Sequence, residues 1–329
     1  MRFLSMGLGT LLLVMTVLFS LSSPVLAADP ATVSAYLNQF KSNAGSRVET
    51  LSILGGEDGA SGGLYSYENN KNELNVSKAG GRGTIGDPSR IGDTDMYWLP
   101  FLGGSIGYSE AQNRFNNTPI LLNNTELYTS FAMGFEAGVR ILLTKEISIG
   151  PMMGVIYSHA NSKFTPGTEL GLKLKQNFAK QLVDWNMDTI SAVPSIDIQY
   201  EKIFDKDWRL TLSSRYDWFK TWDVASSSKY LSLSGNSSYW ENKVDLDIRL
   251  PLKVLGFPLH TGGFVSAGIL GGDIRDTINT NAMYTFNGRL VVGDLTGLWK
   301  VNWLGIGVSY IKSETFHGLS YGIDARLLF

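Results

Sequence analysis

The sequence contains no cysteine, so disulfide bonds are excluded and stability must come from burial and hydrogen bonds. An excess of charge of one sign is also missing, because 28 Lys and Arg oppose 30 Asp and Glu. Nucleic-acid-binding proteins usually carry a basic stripe, and this balance argues against that class. Beyond residue 27, no apolar run reaches the roughly 20 residues that a membrane-spanning helix requires.

The first residues have the composition of an export signal. Arg2 is followed by an apolar run from Leu8 to Leu21, and small residues precede a cleavage site predicted after Ala27. An apolar core this short, followed by small residues, is typical of a secretory signal peptide rather than a spanning helix. We therefore predict that residues 1–27 are a signal peptide.

Residues 126–141 alternate strictly between two kinds of side chain. Odd positions from Leu127 to Ile141 carry mainly large apolar residues, and even positions from Glu126 to Arg140 carry mainly polar or small ones. Successive strand residues point to opposite faces, so this pattern predicts a strand between lipid and a polar lumen. The same period recurs elsewhere, in 188–201, 208–222 and 239–250. The strands of a soluble β-sandwich also alternate, but they usually span about 5–6 residues. The alternating segments here are longer than the 9–11 residues that a strand needs to cross a bilayer, so their length favours a membrane barrel.

Turn signals divide the chain into regularly spaced strands. Short connections are predicted at 144–146, 205–207, 253–256 and 300–302, and they alternate with polar segments at 111–125, 161–187, 224–236 and 273–281. Outer-membrane barrels have short periplasmic turns and longer external loops, so this alternation predicts which end faces outward. Ten strands are predicted, at 96–109, 126–142, 147–159, 188–203, 208–222, 238–250, 259–272, 282–298, 303–312 and 317–329.

Two further segments, 47–67 and 72–80, would raise the number of strands to twelve. The predicted fold class is therefore all-β, a transmembrane antiparallel up-and-down barrel. It has 12 strands, or 10 if the N-terminal pair lies outside the barrel. Alternation is blurred in 259–272 and 282–298, where we predict bulges or glycine kinks.

The last predicted strand ends on an aromatic residue and places apolar side chains at every second position. They are Leu319, Tyr321, Ile323, Ala325, Leu327 and Phe329. This arrangement resembles the signal that the outer-membrane assembly machinery reads. The resemblance to bacterial outer-membrane β-barrels covers the whole chain after the signal peptide. It implies a location in the bacterial outer membrane, with lipid and the barrel-assembly machinery as partners.

A short helix is predicted ahead of the strands, over residues 28–45. Asp29 is a suitable N-cap, Pro30 suits the first helical position, and Gly45 is a plausible stop. One helix followed by about twelve strands resembles the translocator domain of autotransporters, in which such a helix sits in the lumen. Since no passenger precedes the helix, the chain looks most like the solitary autotransporter-like barrels, with residues 46–329 as the barrel. The resemblance implies a structural or translocator-type role; alternatively, the helix lies in the periplasm.

Charged residues on the polar strand faces are predicted to line the lumen. They are Glu136, Arg140, Asp197, Glu201, Arg209, Arg215, Asp217, Glu241, Lys243, Asp245, Asp247, Arg249, Asp324 and Arg326, together with Arg289. Acids and bases nearly balance in this set, and charges removed from water are costly unless they are paired. We therefore predict cross-strand ion pairs that fill a narrow barrel. The alternative is that the same residues line a narrow passive channel for small polar solutes.

No catalytic, cofactor or metal site is predicted. His317 precedes Ser320 by three positions, and His159 precedes Ser162 by three, so each pair would point to opposite faces of a strand. A barrel enzyme at the cell surface is therefore the least favoured hypothesis. The segment 168–185 is predicted to be an extended hairpin that becomes a short helix, either covering the barrel rim or offering a surface to a partner.

Overall fold

The computed structural model is almost entirely β-sheet. It describes residues 59–67, 73–114, 123–180, 183–204, 207–228, 234–293 and 301–327. The strands are β1 Gly59–Tyr67, β2 Glu73–Thr84, β3 Ser89–Arg90, β4 Tyr97–Arg114, β5 Thr125–Leu142, β6 Ile147–Thr165, β7 Asn186–Phe204, β8 Trp208–Ser226, β9 Gly235–Val254, β10 Phe257–Gly272, β11 Ala282–Val292, β12 Val301–Ser313 and β13 Phe316–Leu327. Within the described ranges, the helices α1 Glu169–Phe178 and α2 Asp273–Ile278 interrupt the series of strands. None of the helices in these ranges is long and apolar enough to cross a membrane.

The strands close on themselves into an antiparallel barrel. Each long strand pairs with its neighbours in the chain, and closure comes from β1, which pairs with β13 from Ala60 opposite Ile323 to Tyr67 opposite Phe316. The short strand β3 pairs only with the beginning of β4, while β2 pairs directly with β4. The barrel therefore has twelve strands and one additional short strand, which confirms the twelve-stranded prediction.

Several strands extend beyond their predicted bounds. β4, β6 and β8 continue into the segments 111–114, 161–165 and 224–226, which were wrongly predicted to be loop. Backbone pairing with the neighbouring strand continues through these polar segments, with a register shift between Asp188 and Thr189 where β7 pairs with the end of β8. The strand β11 spans Ala282–Val292, and residues 294–298 at the end of its predicted range lie outside the described residues. Val301 and Asn302, predicted to form a turn, instead begin β12. The predicted signal peptide and N-terminal helix lie outside the described residues.

The two faces of the barrel wall differ in polarity. On β5, the outward side chains of Phe131, Met133 and Phe135 are between 40% and 58% exposed, whereas the inward Ser130 and Ala132 are buried. Outward apolar residues are likewise exposed on β12 and β13. A soluble protein would bury this face, and its exposure all around the barrel is the arrangement that lipid requires.

The ends of the barrel differ in their connections. We call the end with the connections 143–146, 205–207 and 255–256 the turn end, and the opposite end, which carries α1 and α2, the loop end. Leu255 and Gly256 have φ angles of 54° and 88°, and positive values at both positions are characteristic of a type I′ hairpin turn. At the loop end, α1 begins where the Thr168 hydroxyl accepts a hydrogen bond from the Gly171 amide.

Trp208 and Trp222 occupy the outward face of β8 near its opposite ends, where each is about half exposed. Their indole rings therefore mark the two interfacial levels expected of aromatic girdles. Four further aromatic residues are exposed on the outer wall: Tyr157, Trp218, Trp240 and Tyr310.

Candidate functional site

Two adjacent cavities lie in the lumen among the described residues, the larger towards the turn end and the smaller near the middle of the barrel, and they share lining residues such as Arg215 and Glu241. The larger has a volume of about 370 Å³ and the smaller about 170 Å³. Most of the charged residues expected in the lumen line one of them. The larger is lined by Arg140, Asp197, Glu201, Arg209, Arg215, Glu241, Lys243, Asp245, Asp324 and Arg289, and the smaller by Glu136, Asp217, Arg215 and Glu241.

Ion pairs link strands that are not neighbours in the sheet. Arg215 of β8 lies 2.8 Å from Glu136 of β5 and 2.8 Å from Asp217 of its own strand. The Ser195 hydroxyl also donates to Asp217, at 2.5 Å. Arg140 of β5 lies 2.5 Å from Asp197 of β7 and donates to Gln199. The pairs Arg215–Glu136 and Arg140–Asp197 each span at least one intervening strand, so they connect parts of the barrel wall that are not hydrogen-bonded to each other.

A second network surrounds Trp303 of β12. The guanidinium groups of Arg209 and Arg289 lie 4.7 Å and 5.5 Å from the centre of its indole ring. Arg289 donates two hydrogen bonds to Asp245, at 2.6 and 2.9 Å, and lies 3.8 Å from Asp324. Asp245 thus accepts from both terminal nitrogens of this guanidinium, Asp324 lies near its Nε without a hydrogen bond, and the guanidinium face contacts an aromatic ring.

The remaining lumen candidates occupy less central positions. Asp247 is buried and contacts His260 Nδ1 at 2.9 Å and Arg209 at 4.0 Å. Arg249 is exposed near the turn end of β9. Arg326 lies in β13, but its side chain is outside the described part of the chain.

Sequence reasoning missed two inward cations, Lys78 and Arg82 of β2. Both line the smaller cavity, and Arg82 also lines the larger one. Leu74 and Val76 share their face of the strand, so the period of two was present in the sequence. The glycines at 80, 81 and 83 concealed it, because they carry no side chain that distinguishes one face from the other.

The loop-end half of the lumen is filled by apolar side chains, which we call the apolar plug. Its members are Tyr65, Leu74, Val76, Ala111, Ala132, Val193, Phe219, Tyr239, Leu270, Ile274, Ile278, Met283, Ile311 and Phe316. They come from strands all around the barrel and from α2, and each is less than 10% exposed. Trp185, which is 1% exposed, lies against Tyr128 with 6.1 Å between the ring centres and fills the lumen beside β5 and β6. The inward face therefore changes along the barrel axis from mainly charged residues to a mixture of apolar and small polar residues, with Glu126 also buried at the loop end.

Three hydrogen bonds connect helix α2 to the loop end of the barrel wall. The Asn236 amide donates to Asp273 at 2.6 Å, and the Ile274 amide donates to Ser237 at 3.1 Å. The Thr315 hydroxyl donates to the Ile278 carbonyl at 2.9 Å. These contacts hold Ile274 and Ile278 in the apolar plug.

The segment 168–185 forms α1 rather than the predicted hairpin followed by a helix. Lys175 of α1 donates to the Phe164 carbonyl at 2.7 Å and lies 3.2 Å from Asp184. Val183 and Trp185 at the end of the segment are buried. The connection thus packs onto the barrel rim.

The histidine–serine pairs lie on opposite faces of the wall. His317 is exposed and Ser320 is buried, and the same holds for the partly exposed His159 and the buried Ser162. His159 instead contacts Asp188 of β7 at 2.7 Å, on the outer wall, where the Tyr157 hydroxyl donates to the same carboxylate oxygen. This three-residue cluster was not anticipated, because its acid lies 29 residues further along the chain. No group of three metal-ligating side chains occurs in the described ranges.

The predicted assembly residues are placed on the outer face of β13 as far as the strand is described. Leu319, Tyr321 and Ile323 are 54%, 64% and 53% exposed. Ala325 is partly buried on the same face, and Leu327 ends the strand. Phe329 lies outside the described residues.

A closed barrel with an apolar outer face and charges inside is an outer-membrane β-barrel. The profile of the solitary outer membrane autotransporter β-barrel domain matches residues 89–321, more than half of the chain. The chain therefore belongs to this family. No curated protein sequence matches it significantly.

Two solved autotransporter structures share the fold. The β domain of the Bordetella autotransporter BrkA is 9% identical, with a TM-score of 0.50 over 80% of this chain and 95% of that one. The transport unit of AIDA-I from Escherichia coli is 11% identical, with a TM-score of 0.52 over 88% of this chain and 99% of that one. At these identities the similarity concerns the fold alone.

Proposed function

We propose that this autotransporter-like barrel serves in the bacterial outer membrane in a structural or translocator-type role, with its lumen closed at rest. The apolar plug carries this proposal. Water and ions do not cross a constriction lined by buried Phe219, Phe316 and Ile274 unless those side chains move apart. We further propose that the loop end faces the exterior, since the longer connections of such barrels are external.

The partners follow from the same surfaces. Outer-membrane lipid covers the exposed apolar face, and the barrel-assembly machinery would recognise the alternating residues of β13, from Leu319 to Leu327. The inward charges would then stabilise the barrel through ion pairs and take no part in chemistry. We infer no enzymatic activity, because the pairs His317–Ser320 and His159–Ser162 are each divided between opposite faces of the wall.

A narrow passive channel for small polar solutes is the second candidate. The two cavities favour it, because together they form a charged vestibule that reaches from the turn end towards the centre of the barrel. The two candidates differ in what the plug does. A channel requires the plug to open spontaneously, whereas a structural barrel keeps it closed.

Single-channel conductance in planar bilayers distinguishes these candidates. The chain from residue 28 onward should insert and remain electrically silent. A matched variant, Phe219→Ser with Ile274→Ser, should conduct, because two plug side chains are replaced by small polar ones. A chain shortened to residue 46 onward measures whether the segment 28–45 also blocks the lumen. Steady conductance of the unaltered chain would contradict the closed barrel and support the channel.

A further inference from the structure

Helix α2 differs from the rest of the apolar plug because it is not held in the sheet. It supplies Ile274 and Ile278, which are 1% and 6% exposed. The other members of the plug belong to strands, so their backbone cannot leave the wall without breaking ladder hydrogen bonds. A helix as short as α2 is not stable by itself in water, and its position depends on its contacts with the barrel. Among the plug elements that the structure describes, α2 is therefore the one that can move as a unit.

The two sides of α2 have opposite character. Ile274 and Ile278 lie four positions apart, so both are on the side of the helix that packs into the plug. Asp273, Arg275 and Asp276 are exposed, and Arg275 lies 2.9 Å from Asp276. An outward movement would leave this charged side in water and would withdraw two apolar side chains from the lumen. The helix thus has the polarity of a lid.

The backbone on either side of α2 adopts conformations with positive φ. Gly272 has a φ of 70° and a ψ of −148°, a combination almost confined to glycine, and a Cβ atom there would collide with the Asn236 carbonyl. Asn279, directly after the helix, is left-handed, with a φ of 50° and a ψ of 47°. Movements of loops and domains are usually absorbed by a few residues at the ends of elements. Gly272 and Asn279 occupy the positions of two such hinges.

Polar contacts at both ends hold α2 against the barrel. The Asp273 carboxylate accepts from the Asn236 amide at 2.6 Å, and the Thr315 hydroxyl donates to the Ile278 carbonyl at 2.9 Å. A hydrogen bond to a charged group is stronger than one between neutral groups, so the Asp273 contact should contribute more than the Thr315 contact. Loss of the carboxylate at position 273 should therefore shift α2 towards a displaced position.

We propose that α2 is a hinged lid at the loop end of the lumen, and that its outward movement is the step that opens the barrel. Asp273 holds the beginning of the lid on β9, and Thr315 holds its end on the turn between β12 and β13. This inference rests on the closed lumen proposed above. The other plug side chains then line the opened lumen and stay on their strands.

A disulfide between the lid and β9 tests this proposal, since the chain has no cysteine of its own. A Cβ atom at Gly235 would lie 3.5 Å from the Asp273 Cβ atom, within the range of disulfide bonds. Gly235→Cys with Asp273→Cys is combined with Phe219→Ser, which removes one strand-borne ring from the plug. Planar-bilayer recordings of the chain from residue 28 onward compare the oxidised and the reduced protein.

We expect the oxidised double variant to open rarely. Reduction should raise the fraction of time in the open state about tenfold or more, because neither the disulfide nor the charge-assisted hydrogen bond of Asp273 then holds the lid. Asp273→Cys with Phe219→Ser is the matched control. It carries one thiol, so it should open as often as the reduced double variant and should not respond to reductant.

Equal opening of the oxidised and reduced double variants would overturn the lid, as would a control that opens no more often than Phe219→Ser alone. Phe219→Ser with Ile274→Ser distinguishes this failure from that of the closed lumen. If that chain conducts while the variants at position 273 stay silent, the lid is wrong and the plug remains the barrier. If it is silent as well, both proposals are wrong. Thiol titration confirms the disulfide, and heat-modifiable electrophoretic mobility confirms that each variant is folded.

Discussion

Replacing Arg289 by Met should strongly destabilise the barrel. The Arg289 side chain is 5% exposed and bonds Asp245, which is 17% exposed, while Asp324 lies 3.8 Å away. Removing the guanidinium leaves two carboxylates facing each other in the lumen. Breaking a buried ion pair from one side costs about 3–5 kcal/mol. Since Asp245 lines the cavity and is itself partly exposed, we expect the free energy of unfolding to fall by about 3 kcal/mol, the lower end of that range.

The assay is urea unfolding in lipid vesicles, followed by tryptophan fluorescence. Arg289→Met combined with Asp245→Asn should recover much of the loss, because the uncompensated charge is then removed. Arg90→Met is the control, since Arg90 and Asp95 form an exposed ion pair outside the barrel wall and should contribute little. A loss below about 1 kcal/mol for Arg289→Met, or a double variant whose loss equals the sum of the single ones, would refute the reasoning.

Three further substitutions test other parts of the structure by the same unfolding assay. Gly268→Ala would place a Cβ atom 2.3 Å from the Tyr239 ring and should lower the free energy of unfolding by about 1–3 kcal/mol. Adding Tyr239→Leu to the same chain should remove the clash and recover that loss. An unchanged urea midpoint for Gly268→Ala would contradict the packing. Phe135→Arg on the lipid face should lower the free energy of unfolding by about 2–4 kcal/mol, whereas an arginine at inward Thr211, opposite Asp245 and Glu201, should be tolerated. The opposite ranking would reverse the assigned faces. Leu255→Asn should raise the free energy of unfolding by about 1 kcal/mol, because Leu255 is 92% exposed at a left-handed φ that asparagine adopts more readily. A lower free energy of unfolding would contradict this and would show that the leucine side chain makes a stabilising contact.

The outer face of the barrel was predictable from the sequence, because alternation depends only on neighbouring residues. The faces of β5 follow directly from the period of two between Glu126 and Ile141. Pairing inside the lumen was not predictable: Glu136 and Arg215 lie 79 residues apart and meet only after the barrel closes. Charge balance indicated that such pairs exist, without indicating which groups form them.

The apolar plug was missed for a different physical reason. Phe219 follows the outward Trp218, and Tyr239 precedes the outward Trp240, so both faces carry aromatic residues at these points. Hydropathy then does not alternate along the strand, so it does not reveal which residues face inward. The interior of a closed barrel at this level has little access to water, so inward apolar side chains pack there as in a soluble core. The sequence pattern alone does not distinguish the apolar plug from the apolar outer face that contacts lipid.

The most direct test of the account is the accessibility of single cysteines in intact cells, since the chain has no cysteine of its own. Two variants are compared, Lys173→Cys and Lys145→Cys. Lys173 is exposed on α1 at the loop end, and Lys145 is exposed in the turn between β5 and β6 at the turn end. A membrane-impermeant maleimide should label Cys at position 173 on intact cells and at position 145 only after the outer membrane is permeabilised. Labelling of both positions on intact cells, or of position 145 alone, would contradict a barrel that spans the outer membrane with its loop end outside.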